Sequence, residues 1–484
     1  MNACLTWSEL VLARRDSTAL ALTGERAVSY AELIELAAAA GWLDELGFRE
    51  GGPVPALLDT SAVSLALVIA GSCTGRPIAP LGPRLTAREI AGCITGLRAG
   101  MLIAEPSYAD QGAAAADRAG CACAVVPGLS PGGSALMATA GPAGTAAILH
   151  TSGTTGAPKQ VLITQERLAN RVAVSSALMT VGPGSVYASG SPFYHIAGLG
   201  NLAVMVAVGA TVPPFPRFGV DAWQDLGSHG VTHAFLVPTM IERLLGAGAL
   251  TIPGLRLLQY GSAPIRPATL ARAVSALPGV RFINMFGQTE GSPIACLVPE
   301  DHERALTGRP DLLASVGRAA PGVELRLENP DGNGVGEVLA KGDHLFKLAE
   351  DGWLHTSDLA TMDAEGYVYL VGRLGDRIKR GGENVHPVEV EDVLRGHPAV
   401  LEVAVTGVPD AELGQSVRLR RAERGRPEPD PEELRAFARR ELAGFKVPTS
   451  WRFVPELPRN ASGKVLRRVL GQQGGQVPDA GHAR

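Results

Sequence analysis

Ala146-Ala-Ile-Leu-His-Thr-Ser-Gly-Thr-Thr-Gly-Ala-Pro-Lys159 is the stretch on which the reading of this chain turns. An apolar run of strand character enters a loop of glycines and small hydroxyl residues, and the loop closes on a lysine. Glycines let a backbone approach an anion closely, hydroxyl and amide groups donate to phosphate oxygens, and the lysine adds charge. The order differs from the common nucleotide loop of kinases and GTPases, which needs Gly-Lys and then Ser or Thr opening a helix. Here Pro158 precedes Lys159. Taken alone, the loop also reads as a surface turn of small residues, so its meaning depends on what surrounds it.

Outward from this loop, helical and strand patterns alternate. Tyr30-Ala-Glu-Leu-Ile-Glu-Leu-Ala37 has apolar residues at helical spacing, whereas Pro53-Val-Pro-Ala-Leu-Leu58 and Met101-Leu-Ile-Ala104 are short strand-like runs. Residues 107–145, rich in Ala, Gly and Pro, predict a helix and a loose connection. Strand signals resume at Val186-Tyr-Ala-Ser189, His233-Ala-Phe-Leu-Val237 and Arg281-Phe-Ile-Asn-Met-Phe286. This alternation predicts an α/β fold of layered sheets with largely parallel strands. Between Val323 and Leu370, short strands are separated by turn clusters at Asn329-Pro-Asp-Gly-Asn-Gly334 and Asp363-Ala-Glu-Gly366, which predicts a small antiparallel sheet or barrel-like part. The expected organisation is a large domain over 1–374, a small mobile α+β domain over 375–470 and a flexible tail over 471–484.

Composition narrows the function classes. A chain of 484 residues exceeds what one hydrophobic core usually organises. Apolar residues at 46% and charged residues at 19% mark a folded chain. A formal net charge of -4 argues against a nucleic-acid surface. The apolar stretch from Leu202 to Val212 is too short to span a bilayer, and the N-terminus lacks a secretory pattern, so a cytoplasmic protein is expected. Six scattered cysteines do not make a disulfide framework; Cys121-Ala-Cys123 lacks a second ligand pair, which favours free thiols over a metal site. A monomer or a homodimer fits these features equally.

Further along the chain come Asn284-Met-Phe-Gly-Gln-Thr-Glu290, Gly352-Trp-Leu-His-Thr-Ser-Asp358, Gly372-Arg-Leu-Gly-Asp376 and Pro458-Arg-Asn-Ala-Ser-Gly-Lys464. With the loop, these motifs resemble, in order and spacing from about Tyr30 to Arg468, the adenylate-forming superfamily of acyl-CoA synthetases, nonribosomal adenylation domains and luciferases. The resemblance implies that Thr151, Ser152, Gly153, Thr154, Thr155, Gly156 and Lys159 hold the β- and γ-phosphates of ATP. It implies that Phe286, where the family usually has tyrosine, lies against adenine, with Asn284, Met285, Gly287, Gly261, Ser262 and Ala263 around the nucleotide. Thr289 is then expected at the α-phosphate, Glu290 at Mg²⁺, and Asp358 at the ribose hydroxyls with Arg373 beside it. Lys464 would bridge the substrate carboxylate and the α-phosphate. The chemistry suits these residue types, because joining a carboxylate to a phosphate brings two anions together and needs cations around them.

Ser191-Pro-Phe-Tyr-His-Ile-Ala-Gly198 looks like the corresponding segment of acyl- and aryl-CoA ligases, which puts His195 at the acid pocket; its plain structural alternative is a packed histidine at a strand end. Leu236, Val237, Gly261, Ser262, Ala263, Gly287 and Ile294 are the other wall candidates. Being small or apolar, they imply a hydrophobic or aromatic carboxylic acid. Amino-acid-activating relatives carry an aspartate at a matching pocket position, and none is found here. The thiol acceptor implied is CoA or a carrier-protein phosphopantetheine, reached past Gly381 and Gly382, with Gly375 as the hinge. The C-terminal part most resembles chlorobenzoate-type CoA ligases, but Leu413, Val447 and Gly375 depart from that pattern. They leave open CoA, an acyl carrier protein or a second enzyme as acceptor.

Overall fold

The computed structural model describes residues 5–23, 26–38, 42–128, 135–151, 158–213, 215, 218–380, 383–400, 402–410, 414–422, 430–454, 456–459, 465 and 467–472. Its packing divides the chain into two compact units, one of residues 1–325, 340–354 and 364–368, the other of 326–339, 355–363 and 369–484.

The first unit is built on two six-stranded sheets. One consists of β1 (Val54–Leu57), β2 (Ile78–Leu81), β3 (Met101–Ala104), β4 (Ala122–Val125), β5 (Thr145–Thr151) and β6 (Lys159–Thr164), in the spatial order β4-β3-β1-β2-β5-β6. All but the β5–β6 pair are parallel. Every residue of β1 and β2 is buried, as expected of parallel strands covered on both faces. Helix α1 (Ala62–Cys73) is apolar nearly all round; it starts where the Ser61 hydroxyl accepts the Ser64 amide at 3.0 Å. Helix α2 (Ala87–Leu97) opens with a reciprocal cap, Glu89 N donating to Thr86 Oγ1 at 3.3 Å and Thr86 N to Glu89 Oε2 at 2.8 Å. Strand β4 falls where the sequence predicts only a helix and a loose connection. Its Ala-Cys-Ala-Val sequence has little strand propensity, and pairing with β3 supplies what the residues do not.

After β6, helix α3 (Gln165–Met179) crosses to the second sheet, which contains β7 (Tyr187–Ser189), β8 (His233–Leu236), β9 (Leu257–Tyr260), β10 (Arg281–Gln288), β11 (Gly291–Leu297) and β12 (Arg318–Ala319). Their order is β12-β11-β10-β9-β8-β7, with β7 to β10 mutually parallel and β11 and β12 antiparallel. Between β7 and β8 lies α4 (Asn201–Val208), a buried apolar helix preceded by a π-helical turn over Ile196–Gly200. No helix among the described residues is long and apolar enough to cross a membrane.

Helix α5 (Pro299–Thr307) packs behind β10 through His302, which is 2% exposed. Its Nδ1 lies 2.8 Å from Val298 O and its Nε2 2.9 Å from Tyr260 Oη. A carbonyl can only accept, so Nδ1 carries the proton and Nε2 accepts from the tyrosine.

In the second unit lies most of an open four-stranded sheet, in the order β13 (Glu324–Glu328), β14 (Gly336–Lys341), β15 (Leu354–Met362), β16 (Val368–Arg373); it is not a closed barrel. A five-stranded sheet follows, made of β17 (Ile378–Arg380), β18 (Glu383–Val385), β19 (Glu402–Asp410), β20 (Gly414–Ala422) and β21 (Ser450–Val454). Against it packs α6 (Pro387–Arg395), whose Glu391 is 1% exposed. That carboxylate accepts from Val405 N at 2.8 Å, Arg395 Nη2 at 3.0 Å and Arg467 Nη2 at 2.8 Å. Arg467 also reaches Asp376 at 3.3 Å, so one ion cluster ties the start of this region to its C-terminal helix.

Burial pushes the His302 pKa down to about 4 from the ordinary 6.5. Above pH 6.5 the folded and unfolded chains both hold it neutral. As pH falls from 6.5 toward 4 the unfolded chain takes up the proton first, so stability drops, by on the order of 3 kcal/mol for this residue. Urea unfolding at pH 7 and at pH 4.5 checks this, with His302→Asn expected to lose less stability between the two pH values than the wild type.

Candidate active site

The sequence-selected residues of the first unit fall into place through the parallel sheet. Because β7, β8, β9 and β10 run the same way, the segments leaving their carboxyl ends share one edge. Leaving β7 is the segment with His195, leaving β8 comes Val237, leaving β9 come Gly261, Ser262 and Ala263, and the end of β10 carries Asn284 to Glu290. The carboxyl edge of a parallel sheet is where α/β proteins bind ligands.

At the end of β9 the backbone is shaped for close approach. A Cβ on Gly261 would stand 3.2 Å from Met285 O on the neighbouring strand, and Ser262 adopts φ +66°, in the left-handed region. Asn284 is 7% exposed and its Oδ1 has no hydrogen-bond partner among the described residues. An enclosed acceptor with nothing to accept is costly, and it fits the exocyclic amine of a nucleotide base.

Thr289 and Glu290 sit in the tight turn from β10 to β11, both half-buried. A Cβ on Gly287 would meet the Ser292 Cβ at 2.7 Å and Gly291 O at 2.8 Å, so only glycine lets the two strands close here. The Glu290 carbonyl accepts from Phe346 N at 2.8 Å and Lys347 N at 2.9 Å, which anchors the turn from behind. Among the described residues no group of three or more His, Cys, Asp or Glu could hold a metal ion. Glu290 offers a single carboxylate in this turn, and Mg²⁺ is commonly held through one or two carboxylates with water and phosphate oxygens completing its shell.

Phe286 packs on a small apolar cluster of Ala340, Leu345, Leu354 and Ile294. Ile294 itself is fully enclosed in that cluster on β11. The His195 ring lies tilted by 53° against that of Tyr194, centroids 4.4 Å apart; the Tyr194 ring covers Gly82, and His195 precedes the π-helical turn. A Cβ on Gly198 would lie 2.0 Å from Pro192 O, so this turn folds back tightly on the His195 segment.

In the other sheet, Thr151 ends β5, Lys159 begins β6, and the two are paired. Between them, Ser152, Gly153, Thr154, Thr155 and Gly156 lie outside the described residues, as do Gly381, Gly382, Leu413 and Lys464.

In the second unit, Arg373 Nε donates to Asp358 Oδ1 at 2.6 Å. Ser357 holds φ +60° just before Asp358, and Thr356 Oγ1 accepts the Asp358 amide at 3.0 Å. The ion pair leaves other carboxylate lone pairs able to accept hydroxyls. Gly375 has open space where a Cβ would stand, so in this conformation nothing demands glycine there. Val447 is 4% exposed in the core of this unit, and the carbonyls of Phe445 and Val447 accept from Arg380 at 2.7 and 3.1 Å.

Motif reading passes over a group behind the turn: Arg171, Asn201, Tyr187, Gln259 and His344, all buried. One signal was available for the first of them. Arg171 falls within the apolar stripe Leu168, Val172, Ser175, Met179, where a charged residue is out of place.

Two family models match the chain, one described as an AMP-binding enzyme over residues 9–348 and one as its C-terminal domain over 389–464. A sulfoacetate–CoA ligase of Cupriavidus necator is 37% identical over 346 residues, covering 67% of this chain and 66% of the relative. A fatty acid–[acyl-carrier-protein] ligase of Streptomyces coeruleorubidus is 35% identical over 353 residues, covering 66% of each. The chain thus spans just under two thirds of these relatives' lengths. Among solved structures, an o-succinylbenzoate CoA synthetase from Bacillus subtilis, in complex with its acyl-adenylate intermediate, matches with a TM-score of 0.84 at 27% identity, covering 96% of this chain and 98% of that one.

The unpartnered Asn284 acceptor leads to a direct expectation. Asn284→Leu should be at least as stable as the wild type without nucleotide, since it removes an unsatisfied buried group, yet bind ATP about tenfold more weakly. Thermal unfolding and calorimetric ATP titration read the two effects separately.

Proposed function

We infer the activity of this chain from two premises: it belongs to the AMP-binding enzyme family, and the residues that would serve a nucleotide gather at one edge of its parallel sheet. The reaction is the ATP- and magnesium-dependent activation of a carboxylic acid as acyl-AMP, followed by transfer of the acyl group to a thiol. The gathering of His195, Val237, Gly261 and the Asn284–Glu290 segment at that edge is the observation that carries this reading.

Each residue has a chemical task in it. Asn284 Oδ1 accepts from the base amine, and the close backbone at Gly261 gives a flat ring room to lie against the sheet. Thr289 donates to the α-phosphate. Glu290 holds magnesium, which when bound offsets the charge of the phosphates. The loop Thr151–Lys159 takes the β- and γ-phosphates through amides, hydroxyls and the lysine. Asp358, fixed by Arg373, accepts the ribose hydroxyls. Lys464 joins the acid's carboxylate to the α-phosphate, lowering the repulsion between two anions as they meet.

The acid is hydrophobic or aromatic, since Val237 and Gly261 offer it no charge. The acceptor is CoA, with a carrier-protein phosphopantetheine as the second reading, supported by the likeness to an acyl-carrier-protein ligase. Gly375 serves as the hinge between the two half-reactions, because glycine has the widest φ/ψ range.

Acid-dependent ATP–pyrophosphate exchange across aryl, fatty and terpenoid acids tests the first half-reaction, and silence across the panel would overturn it. Exchange with CoA consumption supports the CoA reading; exchange that loads only a carrier protein supports the other. Lys464→Ala should slow exchange by roughly two to three powers of ten.

A further inference from the structure

Arg171, on α3, is 1% exposed, and among the described residues no carboxylate raises its pKa; the Tyr187 phenol near it is held neutral by its own burial. Burial pushes the guanidinium down to about 10, so it remains a cation at neutral pH. Burying a cation without a counter-charge costs several kcal/mol, and an apolar residue of similar size would avoid that cost.

Its bonds explain where the charge is spent. Nη1 donates to the carbonyl of Ser292, two residues beyond Glu290. Nη2 donates to Asn201 Oδ1 at 2.8 Å, and Nε points at Gly200 O at 3.5 Å. Arginine has only donors, so Asn201 must present its oxygen to it and its amide away. That amide donates to Tyr187 Oη at 2.8 Å and to Gln259 Oε1 at 3.2 Å, and the Tyr187 hydroxyl donates to Gln259 Oε1 at 2.9 Å. Gln259 then turns its own amide on Met285 Sδ at 3.2 Å.

One cation therefore fixes the polarity of a buried chain that reaches both ends of the segment bearing Thr289 and Glu290. It holds Met285 on the way in and Ser292 on the way out. The next carbonyl, Pro293 O, accepts from His344 Nε2 at 2.6 Å. Burial, with Arg171 nearby as a lesser cause, holds His344 below its ordinary pKa, so it is the neutral ring that donates.

We propose that Arg171 is a positioning residue for the metal- and phosphate-binding turn: through Asn201 and Ser292 it holds Thr289 and Glu290 in place, and its uncompensated charge favours the anionic nucleotide there. The identity of that ligand rests on the acyl-adenylate reading; the positioning itself is read from the bonds.

The test is calorimetric ATP binding with and without magnesium, which needs no acid substrate. Arg171→Met should bind magnesium–ATP about 10- to 100-fold more weakly, the range for removing an outer-shell partner of a metal site. Arg171→Lys, which keeps the charge but not the two-acceptor fork, should lose about tenfold. In pyrophosphate exchange, kcat should fall by up to roughly 100-fold while the KM for the acid stays within about twofold. A merely structural arginine would lower the unfolding temperature and leave the magnesium dependence of binding unchanged, and that result would overturn the proposal. Should Arg171→Met fail to fold, Arg171→Lys and Asn201→Ala decide in its place, and wild-type magnesium–ATP affinity in both overturns it. A wild type that binds magnesium–ATP but exchanges pyrophosphate with no acid sinks the adenylation reading alone. A wild type that binds none sinks both.

Discussion

Parallel pairing of β7, β8, β9 and β10 is the constraint on which the rest of this molecule depends. In register, His233 stands beside Tyr187 and Leu257, and Leu257 beside Arg281, so the strands end together. A strand that must return to run parallel needs a crossover, and the crossovers put the following segments on a single edge. Residues from 195 to 290 in sequence thus become neighbours along one rim. The antiparallel turn into β11 then folds the end of β10 back, which is possible because Gly287 has no side chain to strike Ser292.

Several polar groups inside this unit are matched by their neighbours. His302 has both nitrogens matched, Asn201 and Gln259 are oriented by their neighbours, and Arg171 spends its donors on carbonyl and amide oxygens. Asn284 Oδ1 is one of several buried polar atoms of this unit, with Ser175 Oγ and both His150 nitrogens, that have no partner among the described residues, and it lies on β10. Interiors rarely leave such an atom unmatched, and where they do, strain, a functional role or an ordered water or ion accounts for it.

The second unit is organised by charge to a greater degree. Glu391 gathers Arg395, Arg467 and the Val405 amide, and Arg467 adds Asp376. Removing one member of such a cluster leaves the others buried and unpaired, which makes the arrangement all-or-none. It fastens the residues just after Gly375 to the helix that follows Lys464 in sequence. The same unit places Val447 in its core, so that position contributes packing and no charge to whatever acceptor is used.

Much of this was legible in the chain itself. Strands near 54, 101, 187, 233 and 281, the α/β class and the short strands between 324 and 373 follow from local periodicity, because burial on a pleated sheet or helix face selects residues at fixed spacing. The residues proposed to serve the nucleotide were picked out through motifs, and Gly261 and Gly287 occupy positions where the backbone leaves little room for a side chain. Strand β4 was not, for its residues pair without favouring a strand. Nor was the chain from Arg171 through Asn201, Tyr187 and Gln259 to Met285, whose members lie up to 114 positions apart, from 171 to 285, and carry no mark in isolation. Sequence determined which chemistry the loops can offer, since that depends on residue type and near neighbours. Tertiary structure alone decided which carbonyl a buried arginine would hold, because that is settled by where distant segments pack and not by what either one contains.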